Sequence, residues 1–159
     1  YDVILFGYNR TGFGILKVLE EMKESFLVID FNPDIISKLS KWRIPAVYGD
    51  AYDSDFLLEL PLTKAKAIIS TIPDFETNLE LVEKIKMINP KAVVIMRTND
   101  SEDALELYKK GADYVLTPYI VGGEHIAKII KHIGITGEGY RKEKDRHIEI
   151  LKEIVKGKI

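Results

Sequence analysis

The feature that most constrains the fold is a regular alternation of short apolar runs with amphipathic helical patterns. Six runs of three to six residues are mostly apolar, and glycine, proline or polar residues separate them from the helical patterns. Apolar runs of this length predict strands that are buried on both faces, which is typical of a parallel sheet covered by helices. We therefore predict an α/β fold with a doubly wound, parallel six-stranded sheet and helices on both faces. The predicted strands are residues 2–6, 26–30, 46–48, 67–72, 92–97 and 112–116.

The helical patterns also predict how the chain is divided. Asn32 and Pro33 have the residue types of an N-cap and a first helical position, which fixes the start of one helix. A long helix is predicted from about residue 120 to 133, and glycines then form a loose joint before a charged segment with one apolar stripe. We predict one domain over residues 1–134, followed by a linker and a charged amphipathic C-terminal helix over 135–159.

Composition excludes several classes of protein. The chain has 159 residues, of which 46% are apolar and 30% are charged, which is typical of a globular domain. A net charge of -2 argues against binding nucleic acid through bulk charge. The absence of cysteine excludes disulfides and thiolate metal sites. No apolar stretch approaches the roughly 20 residues of a membrane span, so we predict no direct membrane insertion of this segment.

A glycine-rich turn follows the first predicted strand. The sequence from Gly7 to Gly12 is Gly-Tyr-Asn-Arg-Thr-Gly, and a helical pattern begins at its end. At such a turn the free backbone N–H groups and the positive end of the helix dipole both favour an anion, and a phosphate above all. The spacing matches the dinucleotide-binding pattern G-x-G-x-x-G, except that Asn9 stands at the middle glycine.

An acidic residue ends the second predicted strand. Asp30 lies 23 positions after Gly7 (30 - 7 = 23), where a carboxylate accepts hydrogen bonds from the ribose 2′-OH and 3′-OH of an adenosine. The same carboxylate would repel a 2′-phosphate, so the position favours NAD-type or adenosine ligands over NADP. The alternative interpretation is a solvated aspartate at the start of a loop.

These residues belong to an ordered set that resembles a known family. The remaining members are Gly49-Asp50-Ala51, Thr71-Ile72, Asn78, Arg97 and Gly111-Ala112-Asp113. The set resembles the TrkA-N or RCK domain, the Rossmann-like regulator of potassium channels and cation/proton antiporters, over about residues 2–133. A first residue other than Met, and a short tail in place of a second subdomain, favour the variety at the cytosolic C-terminus of KefC-like monovalent cation/proton antiporters.

The resemblance implies a homodimeric regulatory domain rather than an enzyme. It would bind an adenine nucleotide, with AMP or NAD(H) favoured and ADP or ATP also possible. It would signal to a membrane transporter domain of the same full-length chain, at the cytoplasmic face of the cell membrane. The residues that the resemblance implies at the nucleotide are Gly7, Tyr8, Asn9, Arg10, Thr11, Gly12, Asp30, Phe31, Asp50, Ala51, Thr71, Ile72 and Arg97.

Within this set we expect distinct roles. The turn would hold phosphate, Asp30 ribose and Asp50 the region of the adenine. Asn9 would crowd a pyrophosphate and adds a donor for a single phosphate, which favours a mononucleotide such as AMP and leaves NAD(H) open. Arg10 suits bidentate phosphate contact, and its alternative interpretation is a solvated arginine at a helix start.

Other candidate sites are weaker. His125 and His132 share a helix face, but no acid or cysteine completes a ligand set, so we predict no metal site. An NAD-dependent oxidoreductase fragment is an alternative function, although only 43 residues (159 - 116 = 43) follow the sixth strand, too few for a typical substrate domain. A free-standing Trk-type potassium uptake subunit is another. The charged tail is either a surface helix or a helix that packs on a partner subunit.

Overall fold

The structure, a computed structural model, describes residues 1–156. They divide into two compact units, the first over Tyr1–Thr117 and the second beginning at Pro118. The first unit holds a six-stranded sheet in the order β3-β2-β1-β4-β5-β6, and every neighbouring pair of strands is parallel. The strands are β1 (Val3–Phe6), β2 (Phe26–Asp30), β3 (Ala46–Tyr48), β4 (Ala67–Ser70), β5 (Val93–Arg97) and β6 (Tyr114–Leu116). The predicted fold is confirmed.

Helices connect the strands in turn. Those of the first unit are α1 (Arg10–Met22), α2 (Pro33–Lys41), α3 (Ser54–Glu59), α4 (Phe75–Ile88) and α5 (Ser101–Lys109), with a 3-10 turn at Leu62–Lys64. The second unit consists of α6 (Pro118–Ile133), a 3-10 turn at Gly137–Gly139 and α7 (Tyr140–Val155).

The sheet separates two apolar clusters. In β1, Val3 and Leu5 face one cluster while Ile4 and Phe6 face the other, because side chains alternate along a strand. Leucines of α1 and α2 complete the cluster on the first face, and apolar residues of α3, α4 and α5 complete the other. Because helices cover both faces of the sheet, both alternating sets of side chains are apolar and the strands are continuous apolar runs. These runs are the pattern from which the strands were predicted.

Side-chain caps explain where several helices begin. The Asn32 side chain accepts a hydrogen bond from the Asp34 amide, and Pro33 is the first residue of α2, as predicted. The long helix α6 begins at Pro118, slightly before the predicted start at about residue 120, because proline suits the first helical position. The last helix ends at Val155, and residues 157–159 of the predicted tail lie outside the described residues.

The second unit is described by itself. The Tyr140 hydroxyl donates to the Gly134 carbonyl at 2.7 Å, which ties the start of α7 to the end of α6. The compact units divide at Thr117, whereas the sequence places the domain boundary at 134, and that boundary stays a prediction. Among the described residues, no helix is long and apolar enough to cross a membrane.

A polar cluster joins the far edge of the sheet to α4. Asp113 accepts hydrogen bonds from Lys86 Nζ at 2.9 Å and from the Val94 amide at 2.7 Å, and Lys86 Nζ also donates to the Ala92 carbonyl at 3.0 Å. The hydrogen bond from Lys86, with that from Val94, holds the pKa of the Asp113 carboxyl below its ordinary value. The ionised carboxylate therefore stabilises the folded state.

We predict that Asp113→Asn lowers the free energy of unfolding at pH 7 by about 1 kcal/mol, since a half-exposed charged group contributes little more. A lowered pKa in the folded state means that this contribution is complete above the ordinary value of about 3.9 and is lost as the pH falls below it. Urea unfolding of both proteins from pH 7 to pH 3 measures the difference. A difference that stays constant over this range, or that the exposed-site control Glu138→Gln reproduces, would contradict the prediction.

Candidate nucleotide-binding site

The candidate site lies at the carboxyl ends of the strands, between β1 and β4. These two strands are adjacent in the sheet, and the chain continues outward from β1 to β2 and β3 on one side and from β4 to β5 and β6 on the other. Such a change of direction opens a crevice at the strand ends, which is the usual ligand site of open α/β sheets.

The glycine turn is packed against the end of β4. Gly7 has a φ of +85°, and a Cβ there would lie 2.8 Å from Thr71 Oγ1. A Cβ at Gly12 would lie 2.5 Å from the Gly7 carbonyl oxygen. Thr71 Oγ1 donates to that same carbonyl at 2.8 Å. The turn therefore requires glycine at both of its ends and is held to β4 by Thr71.

Both polar atoms of the Asn9 side chain form hydrogen bonds within the protein. Its Oδ1 accepts hydrogen bonds from the amides of Thr11 at 3.0 Å and Gly12 at 3.2 Å, so it is the N-cap of α1. Its Nδ2 donates to the Thr71 carbonyl at 2.8 Å. The side-chain donor that we expected to face a phosphate is thus engaged with Thr71 in this structure. The φ of Asn9 is -103°, so the position does not require glycine for its backbone angle.

Asp30 lies at the end of β2 and supports the same turn. Only 9% of its surface is exposed. Its Oδ2 accepts from the Tyr8 amide at 2.7 Å, and its Oδ1 accepts from the Asn32 amide at 2.8 Å. A carboxylate has about four acceptor positions, so each oxygen retains capacity for a ribose hydroxyl.

Arg97 reaches the crevice from the end of β5. Its Nη1 donates to the Thr71 carbonyl at 3.1 Å, the acceptor that Asn9 also uses. Asn78 is completely buried and donates from Nδ2 to the carbonyls of Ile72 and Arg97, both at 2.7 Å. Arg97 Nε and Asn78 Oδ1 are buried without a hydrogen-bond partner among the described residues. Unused polar groups at this position are typical of a site that a ligand or water completes.

Comparisons with known proteins identify the family of this chain. The family model of the TrkA-N domain matches residues 3–118. The chain belongs to the TrkA-N domain family.

Two curated relatives are transport proteins by name. The chain is 29% identical over 135 residues to the probable potassium channel protein 2 of Methanocaldococcus jannaschii, and the alignment covers 83% of this chain and 39% of the relative. It is 32% identical over 111 residues to the glutathione-regulated potassium-efflux system protein KefC of Escherichia coli, which covers 70% of this chain and 18% of KefC.

Solved structures of this TrkA-N fold include proteins with nucleotides. The Kef CTD of Shewanella denitrificans in AMP-bound form has a TM-score of 0.69 at 19% identity and covers 95% of this chain and 91% of its own. The GsuK channel bound to NAD has a TM-score of 0.69 at 21% identity, covering 77% of this chain and 22% of its own. The resemblance to the TrkA-N or RCK family is confirmed. The chain spans about two-fifths of the length of the first curated relative.

The other predicted site residues of this TrkA-N domain differ in how far they are exposed. Arg10 and Phe31 are exposed, while Thr11, in the first turn of α1, and Ile72, just after β4, are partly buried. Asp50 is exposed and accepts from the Tyr52 amide at 2.9 Å, while Ala51 is buried.

Tyr8 differs from the other members of the turn. Its side chain is only 4% exposed and packs in the cluster that contains Leu16 and Leu39. Burial, with the nearby Glu20 carboxylate, raises the pKa of its phenol to about 12. Tyr8 therefore contributes its backbone amide to Asp30, and its ring supports the turn from within the core.

Exposed aromatic rings follow the ends of β2 and β3, and of these Phe31 was predicted at the site, whereas Tyr48 and Tyr52 were not. Tyr48, which pairs with Asp30 across β2 and β3, is 61% exposed, and Tyr52 and Phe31 are 57% and 68% exposed. Their position at the strand ends is the signal that identifies them. The described part of the chain contains no group of three His, Cys, Asp or Glu side chains arranged to hold a metal ion.

We predict opposite effects for alanine at two glycines of α1. Gly12→Ala would place a methyl group against the Gly7 carbonyl and should lower the free energy of unfolding by about 1–3 kcal/mol. A methyl group at Gly14 would meet no atom within 4 Å outside the backbone of its own helix, so Gly14→Ala should raise the free energy of unfolding by about 0.5–1 kcal/mol through helix propensity. Urea unfolding of the two variants compares them directly, and equal effects would contradict the packing described for Gly12.

Proposed function

We propose that this TrkA-N domain is the ligand-sensing regulatory domain of a monovalent cation (K+ or Na+)/proton antiporter or of a potassium transport system. It binds an adenine nucleotide in the crevice between β1 and β4 and thereby gates transport. The observation that carries the proposal is the convergence of the α1 turn, the Asp30 carboxylate and the Arg97 guanidinium at one strand-end crevice. It acts as a sensor and not as an enzyme.

The half of the crevice above β2 and β3 suits adenosine. Asp30 offers acceptor capacity for the ribose hydroxyls, and the exposed rings of Phe31, Tyr48 and Tyr52 lie at the same strand ends. Aromatic faces are good stacking surfaces for a purine base. A buried carboxylate would also repel a 2′-phosphate, so NAD should bind in preference to NADP.

The relatives support the regulatory role. KefC and the potassium channel protein are transport proteins, and solved relatives are described with AMP and with NAD. AMP or NAD(H) is therefore the favoured ligand, with ADP and ATP as further candidates. We place the domain at the cytoplasmic face of the cell membrane, attached to a membrane transporter domain in the same full-length chain. The nucleotide would gate transport through different affinities for two conformations, since a ligand shifts an equilibrium in no other way.

Homodimerisation through the second unit is part of the proposal. In α6 and in the described part of α7 no residue is buried. Several large apolar side chains of these helices are exposed instead, and a partner subunit would cover them. They include Tyr119, Ile120, Ile126, Ile130, Ile148, Leu151 and Val155. Exposed apolar side chains that form a large patch mark an interaction site.

We predict that the wild-type domain binds AMP and that Asp30 contacts its ribose. Removing the ribose hydroxyls from the ligand should weaken binding to the wild-type domain about tenfold, because two hydrogen bonds to a carboxylate are lost. In Asp30→Asn the same change of ligand should have a smaller effect. Isothermal titration of both proteins with AMP and 2′,3′-dideoxy-AMP measures the coupling.

This design separates ligand contact from folding. Asp30 also supports the turn, so a loss of AMP affinity in the variant alone would not identify the contact. Asp34→Asn, an exposed residue in the first turn of α2, is the control variant. If loss of the two ribose hydroxyls weakened binding equally in the wild type and in Asp30→Asn, Asp30 would not contact the ribose. Failure of the wild type to bind AMP, ADP, ATP, NAD or NADH below millimolar concentrations would refute the proposed site.

We also predict that Ile126→Glu converts a dimer to a monomer. The side chain of Ile126 is half exposed on α6, and a charge there would be buried unpaired in the proposed interface. Lys128→Glu, an exposed residue of the same helix, should leave the dimer intact. Sedimentation velocity of the three proteins gives the answer, and a monomeric wild type or an unchanged Ile126→Glu dimer would exclude this interface.

A further inference from the structure

The N-terminus of α1 is already partly occupied by a residue of the chain itself. The amides of Asn9, Arg10, Thr11 and Gly12 have no carbonyl partner within the helix, because the first intrahelical bond runs from the Phe13 amide to the Asn9 carbonyl at 2.8 Å. Two of these four amides, those of Thr11 and Gly12, donate to Asn9 Oδ1. In the described part of the chain, the amides of Asn9 and Arg10 remain for an anion at this helix end.

The same side chain also connects the two halves of the crevice. Asn9 belongs to the turn after β1, and its Nδ2 donates to the carbonyl of Thr71 at the end of β4. Arg97 Nη1 donates to that carbonyl from the far side, at the end of β5. The bridge from Asn9 through Thr71 to Arg97 therefore crosses the point at which the strand order changes direction.

A mononucleotide and a dinucleotide use this point differently. An adenosine with one phosphate stays above β1, β2 and β3, beside Asp30 and the first turn of α1. A dinucleotide extends its pyrophosphate and second nucleoside across the crevice toward β4 and β5. Asn9 joins the ends of β1 and β4, which such a ligand must cross, whereas glycine at the same position in the G-x-G-x-x-G pattern has no side chain there.

We propose that Asn9 makes this domain selective for an adenine mononucleotide over a dinucleotide, by bridging the α1 turn to Thr71 across the crevice. The inference rests on the proposed function and specifies the ligand class of that same site. Binding of a dinucleotide requires the Asn9 side chain to leave both Thr71 and the α1 amides, whereas a mononucleotide leaves the bridge to Thr71 in place. Asn9 acts on selectivity through steric exclusion and through its own hydrogen bonds, not by donating to the phosphate.

The test compares the affinities of AMP and NAD, by isothermal titration, in the wild type and in two variants. Asn9→Gly removes both the cap and the bridge, and its backbone angle is compatible with either residue. Asn9→Ser keeps a capping hydroxyl but is too short to reach the Thr71 carbonyl. The wild type should bind AMP more tightly than NAD. Asn9→Gly should lower the Kd for NAD about tenfold and change the Kd for AMP less than threefold. Asn9→Ser should also lower the ratio of the Kd for NAD to the Kd for AMP.

Asp100→Gly is the matched control. Asp100 caps α5 by the same two-amide pattern, accepting from Glu102 at 2.8 Å and Asp103 at 3.1 Å, and it makes no bridge to Thr71. The control should lose stability without changing the ratio of the two affinities. An unchanged ratio in both Asn9 variants, or a wild type that binds NAD as tightly as AMP, overturns the inference and leaves the proposed function standing. A wild type that binds neither ligand refutes the proposed function itself, and this inference with it.

Discussion

Thr71 makes the hydrogen bonds on which the arrangement of the crevice depends. Its amide donates to the Phe6 carbonyl at 2.9 Å and its hydroxyl donates to the Gly7 carbonyl, so β4 is tied to the end of β1 and to the glycine turn. Its carbonyl accepts from Asn9 and from Arg97. Three strand ends are thereby fixed relative to one another by one buried residue, which sets the positions of the glycine turn, Asn9 and Arg97.

The fold was predictable because its signals are local. The apolar runs indicate strands covered on both faces, and residues such as Asn32 and Pro33 indicate helix starts within a few positions of the observed ones. Whether a segment forms a strand or begins a helix depends largely on its neighbours in sequence. These elements can therefore be predicted without knowing which strands are adjacent in the sheet. The start of α6 shows the limit of the approach, because the helix begins at Pro118 and not at about residue 120 as the pattern predicted.

The sequence indicated which residues lie together at the strand ends, but it did not indicate the hydrogen bonds between them. The sequence pattern brings Asp30 and the glycine turn together, because the spacing of a strand, a helix and a second strand is itself a signal. The contact of Asn9 with Thr71 spans 62 positions, and that of Arg97 with Thr71 spans 26. Such contacts depend on strand order and on side-chain rotamers, which no local pattern encodes. The burial of Tyr8 likewise depends on how helices pack on the sheet, so the sequence did not predict it.

The alternation of side chains in β1 has a consequence for how this chain can change over evolution. Val3 to Phe6 are all buried, with two residues committed to each apolar cluster. An insertion or deletion within this strand would exchange the two sets and would also displace Gly7 from beneath Thr71. Connections at the opposite rim of the sheet, such as residues 23–25 and 43–45, lie outside this constraint. The rim that carries the crevice should keep a constant length among related sequences, while the other varies.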